Sequence, residues 1–223
     1  DACLLKGVSM NRLRWMALFE LALFVVSIGL DVMIPSLIII GVGIVFARLR
    51  NEKIELFGQN TENRKMYFFV QMIGLGVALT LLDFCIVIPL LNHLTGTTQD
   101  MNIFSQLKGN KEMLLILLAY SWVVAAIMEE VAYRGFFQNR IISMFSNRKL
   151  GMIIAVITTS VLFGIMHSEQ GVVGMVNTAL DAVIFSVIRH RYKTVWASVL
   201  VHGFSNTIGI IAFYFAGPLY GLW

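Results

Sequence analysis

The stretch MLLILLAYSWVVAAIMEEVAYRGFFQNRIISM, residues 113–144, decides the architecture. Residues 113–130 stay apolar until two adjacent carboxylates, Glu129 and Glu130, and Arg134 follows four residues after Glu130. About 20 mostly apolar residues are needed to cross a bilayer as a helix. A charge near the bilayer centre costs at least ~2.5–3.5 kcal/mol on insertion scales. The stretch therefore reads as a membrane span carrying groups that spans ordinarily exclude.

The rest of the chain agrees. Of its 223 residues 58% are hydrophobic and 13% charged, with a mean hydropathy of +0.79. A soluble domain is roughly 45–50% apolar and about 25% charged, and a fold of this size cannot hide the excess internally. A soluble globular enzyme, a disordered chain and a disulfide-stapled secreted scaffold are excluded. The net charge of +4 is too small and too dispersed to point to nucleic acid. Cys3 and Cys85 form no CxxC pair, and Cys85, in an apolar run, reads as a small packing residue.

Seven apolar runs qualify as spans: 15–30, 32–47, 67–91, 113–130, 151–167, 172–188 and 194–215. The expected fold is an all-α, polytopic bundle of about seven transmembrane helices in one integral-membrane domain, 1–223, with its motifs in about 112–210. The first run contains Glu20 and lacks a small-residue cleavage site, so it reads as a retained span. The chain opens at Asp1 rather than Met, so the natural start is expected upstream.

Basic residues alternate along the runs. Arg12 and Arg14 precede the first; Arg48, Arg50, Lys53, Arg64 and Lys65 follow the second. Arg134, Arg140, Arg148 and Lys149 follow the fourth, and Arg189, Arg191 and Lys193 the sixth. The other connections are poor in charge. By the positive-inside rule the amino terminus is cytoplasmic, in a cell-membrane protein. A central cavity is expected to open at the basic, cytosolic end. No internal repeat and no nucleotide-binding loop occurs.

Taken singly, the ionisable residues inside the runs have plain readings. Glu20 and Asp83 read as protonated or bonded to a neighbouring helix, Asp181 with Asn177 as a helix-packing pair, and His93 and His190 as solvated. Glu130 and Arg134 alone would be an interfacial salt bridge. Three polar faces on three separate spans, in a chain with four His, are hard to explain as packing. The other two faces are Phe163 with His167, ending the fifth run, and His202 with Asn206 in the seventh.

Sequence distances allow these faces to meet. With a turn near Arg148, Glu129 lies 19 residues before it and His167 19 residues after it, so an antiparallel hairpin sets them at equal height. This requires the fourth helix to continue past Arg134 to about Met144. With a turn near Arg191, His202 and Asn206 lie shallower by about 6–12 Å at 1.5 Å per residue. The fourth-to-fifth turn must then protrude further than the sixth-to-seventh.

Glu-Glu-x-x-x-Arg at 129–134, Phe-x-x-x-His at 163–167 and His-x-x-x-Asn at 202–206, in this order on separate helices, resemble the CPBP (Abi) family. That family contains the type II CAAX prenyl endopeptidases and bacterial proteins tied to bacteriocin processing and self-immunity. The resemblance implies a glutamate-dependent intramembrane peptidase, without cofactor or metal, whose cavity lies among the fourth to seventh helices. It implies that Glu129 activates a water, His167 holds that water, and His202 with Asn206 stabilises the oxyanion. Glu130 and Arg134 would be the supporting ion pair, and Phe163 would shape the pocket. No feature selects a prenylated substrate, so the expected partner, besides membrane lipid, is a small bacterial peptide or membrane-associated substrate. The oligomeric state is not legible.

Other classes stay open at this point. Glu and two His could hold zinc in a metallopeptidase, although His-Glu-x-x-His is absent. The bundle could instead be a non-catalytic regulator or immunity protein. A proton relay through Asp83 and Asp181 would suit a transporter, but no inverted repeat accompanies it.

Overall fold

The structure, a computed structural model, describes residues 10–29, 35–54 and 65–219. Cys3, Arg64 and the first connection at residue 31 lie outside the described residues. The described residues form seven helical rods and no strand: α1 (Met10–Gly29) and α2 (Pro35–Leu49), α3 (Met66–Thr95) and α4 (Lys111–Ser143), and α5 (Arg148–Ile165), α6 (Gly171–Tyr192) and α7 (Val195–Ala216). They coincide with the seven apolar runs. Five, α3 to α7, are long and apolar enough to cross a membrane. The 15 residues of α2 fall short of the usual length, and α1 contains Arg12, Arg14 and Glu20.

Short polar caps start the helices where the apolar runs begin. The Asn110 side chain accepts from the Met113 amide at 3.1 Å, and Asn147 accepts from Lys149 and Leu150, both at 3.1 Å. The Thr194 hydroxyl accepts from Trp196 at 3.3 Å. Each satisfies amides that a helix start leaves without a carbonyl. Lys193, at φ 55°, makes the tight reversal between α6 and α7.

The fourth helix does continue through Arg134, and its turn to α5 falls at 144–147. Its winding is not uniformly α, however. Ser121–Glu129 and Val131–Phe137 are π-helical, as is Asp83–Val87 in α3. A π turn takes more residues for less rise. The winding from 131 to 137 thus draws Glu130 towards the basic end, reducing the height mismatch with α7 that uniform α geometry predicts.

Three apolar clusters hold the bundle. One joins Phe24, Ile39, Phe137, Ala155, Phe163 and Val199. A second packs Met72, Leu79, Phe185 and Val201 of α3, α6 and α7. The third seats Met101 and Leu107, in the α3–α4 connection, on Ile210 and Phe213. Helix α7 packs on α3, α4 and α6 and is the central rod. Leu115, Ile157 and Val187 are among many large apolar side chains left exposed on the outer faces, as lipid contact requires.

At the basic end Glu20, only 1% exposed, is bonded to Arg50 at 2.6 Å and Arg140 at 2.7 Å. Glu52 binds the same two arginines at 3.1 and 2.8 Å. Glu20 is thus a charged clamp joining α1, the end of α2 and α4. Burial works to raise the Glu52 carboxyl, but the hydrogen bond and charge of Arg140, with those of Arg50, hold it below its ordinary value.

Candidate active site

The site is built outward from α4. Glu130 is fully buried and Arg134 is 1% exposed. Arg134 Nη1 lies 3.0 Å from Glu130 Oε1, so the expected pair is present. Arg134 also donates from Nη2 to the Ala182 carbonyl of α6 at 3.1 Å. Its guanidinium lies 4.7 Å from the Phe163 ring centroid and 5.6 Å from that of Phe185. An ion at this depth is tolerable only with such compensation.

The same Glu130 oxygen lies 3.1 Å from His202 Nδ1, a contact that the linear motifs do not reveal. The imidazole stacks on Phe185 at 4.6 Å and 14°. His202 is therefore held in orientation by a carboxylate on α4 and a ring on α6, with Nε2 on the opposite edge. Close approach of α7 to α4 allows this: a Cβ on Gly203 would stand 2.6 Å from the Trp122 ring, and Trp122 Nε1 donates to Thr207 at 3.1 Å.

His167 lies just beyond the last turn of α5, at φ −106° and ψ 29°. Its Nδ1 is 2.8 Å from the Phe163 carbonyl oxygen, so Nδ1 carries the proton and Nε2 presents a lone pair. The Phe163 and His167 rings are 4.8 Å apart. Gly164 lets α5 approach α6 here, because a Cβ there would fall 2.5 Å from the Met175 carbonyl.

Glu129, Phe163, His167, His202 and Asn206 all line one cavity of about 570 Å³. Glu130 and Arg134 stand behind its wall. Glu129 Oε2 is buried without a hydrogen-bond partner. Among the described residues, no three His, Cys, Asp or Glu side chains stand where one metal ion could bind them together, so the zinc reading finds no ligand set there.

Sequence reading passed over two further residues around the site, Phe185 on the cavity wall and Gln138 behind it. Phe185 stands in an unremarkable apolar run. Gln138 is fully buried and donates to Thr159 at 2.9 Å and Ser186 at 2.7 Å, tying α4 to α5 and α6. Its signal was available: a polar residue four positions after Arg134. Asn177 and Asp181 do pair along α6 at 3.4 Å, but both line the cavity, as does Asp83. The mouth also departs from expectation. The exposed lining comes from Asp100, Asn102, Ile103, Tyr120 and Glu169. All but Tyr120 belong to the charge-poor connections, at the end away from the basic residues.

No curated protein and no solved structure matches the chain. A family model described as "Type II CAAX prenyl endopeptidase Rce1-like" matches residues 111–208, the segment carrying all three motifs. That segment is thus similar to the Rce1-like type II CAAX prenyl endopeptidases, the grouping that its CPBP motifs resemble.

Proposed function

We propose that the protein is an intramembrane peptidase in which Glu129 and His167 activate a water held in the cavity. The observation that carries this reading is the unpartnered Glu129 Oε2 on the cavity that His167 also lines. The water oxygen attacks the scissile carbonyl while Glu129 takes one of its protons; His167 Nε2 accepts the other as a hydrogen bond and orients the attack. A tetrahedral intermediate forms. The C–N bond then breaks, and Glu129 returns its proton to the leaving amine.

Asn206 supplies an amide donor to the oxyanion. His202, as an imidazolium with Nδ1–H turned to Glu130, donates from Nε2. Preset donors of this kind contribute about 2.7–4 kcal/mol each. The substrate is a small peptide or a membrane-associated chain. The distribution of basic residues supports a cytoplasmic amino terminus, and with it a mouth on the side away from the cytosol.

Glu129→Gln tests the mechanism because it keeps shape while removing the base. Peptidomics of cells carrying wild type or Glu129→Gln, at matched expression, is expected to show a peptide that accumulates uncut in the variant. Processing or immunity that survives the change unaltered would mean that the bundle acts by binding.

A further inference from the structure

The same cavity has a second wall rich in carboxyl groups. Asp83 on α3 and Asp181 on α6 both line it, within electrostatic reach of each other. With Asp100, Glu129 and Glu169, five carboxyl groups face this space, and among the described residues no Lys or Arg lines it. That is unexpected in a chain of net charge +4. The nearest guanidinium, Arg134, is engaged by Glu130 and the Ala182 carbonyl.

The hydrogen-bond inventory of the wall points the same way independently. Asn177 is only 7% exposed and its Oδ1 has no partner; Gln99, also 7% exposed, has an unpartnered Oε1. Asp181 Oδ1 is likewise unsatisfied. Asn177 and Gln99 direct their donors elsewhere, to Asp181 and to Gln170 Oε1. The unpartnered atoms of these three side chains are thus all acceptors. Buried acceptors left unpaired are costly, so a fitting ligand brings positive charge together with several N–H groups.

We infer that Asp83, Asp181, Asn177 and Gln99 form a subsite for a basic side chain, so that the substrate is a cationic peptide. A Lys ammonium has three donors and an Arg guanidinium five, with no acceptor on either, which is the complement of this wall. The inference deepens the peptidase reading and rests on it for the substrate being a peptide.

The test measures binding, so that it does not depend on turnover. Glu129→Gln protein in lipid nanodiscs is offered two degenerate peptide pools, identical except that one position is Lys in one and acetyl-lysine in the other. A second pair carries a free or acetylated amino terminus, which separates a side-chain cation from a terminal one. The Lys pool is expected to be retained about tenfold more or better, as for a charge facing partly desolvated carboxylates. Adding Asp83→Asn and Asp181→Asn should abolish that preference. Asp181→Asn alone, expected to reduce it, serves if the combined variant does not fold.

Equal retention of the Lys and acetyl-lysine pools overturns the inference, as does a preference that survives the Asn variants or follows only the amino terminus. If the Lys preference holds while wild type cleaves no peptide, the subsite stands and the hydrolase reading falls.

Discussion

Replacing Arg134 by Met should destabilise the protein far more than replacing it together with Glu130. The two side chains are 1% and 0% exposed and stand 3.0 Å apart. Removing one partner of such a pair strands a buried charge, at a cost of about 3–5 kcal/mol. A protein of 150–250 residues loses about 2–4 °C in Tm per kcal/mol, so Arg134→Met should melt about 6–20 °C lower. In Glu130→Gln/Arg134→Met neither charge remains, and most of that loss should return, giving a coupling energy of at least ~2 kcal/mol. Thermal unfolding in detergent, at one scan rate for all variants, reads the effect. The double variant should still lack peptidase activity, since His202 loses its carboxylate. A single variant within ~1 kcal/mol of wild type, or a double variant showing the additive loss, would refute the claim that this pair is a desolvated ion pair.

Other expectations follow from the same geometry. In a background with Cys3 and Cys85 replaced, Glu169→Cys should react with an impermeant maleimide on intact cells, whereas Lys149→Cys should react only after permeabilisation; the opposite pattern would invert the orientation. Gly203→Ala places a methyl 2.6 Å from the Trp122 ring, so about 1–3 kcal/mol of stability should be lost as α7 is pushed from α4; an unchanged Tm would show that the helices can part freely. Because Glu52 is held below its ordinary value, its contribution is present above the unfolded carboxylate range and is lost as pH falls through the folded value. The side chain is 43% exposed, so the effect is small: the Tm gap between wild type and Glu52→Gln should be detectable at pH 7 and close on acidification, and a gap that widens instead would contradict the sign.

Much of this protein is written in its linear order. Lipid imposes a local demand, that each crossing segment be apolar and satisfy its own backbone, so the runs and their basic flanks are visible one window at a time. The same demand makes Glu129, Glu130, Arg134, His167 and His202 conspicuous. Their spacing along an antiparallel hairpin already implied a common height for Glu129 and His167.

What the tertiary structure alone decided depends on rotation about helix axes and on winding. Neither is a property of one window. The π-helical turns of α4 change which way Glu130 faces and how deep it lies, and the carboxylate then meets His202 from another rod. Phe185 is one apolar residue among many until α6 is turned to stack it on that imidazole. Asp83 and Asp181 look like isolated liabilities until α3 and α6 bring them to one wall. The end at which the cavity opens is likewise a matter of how rods splay, and no count of charges along the chain contains it.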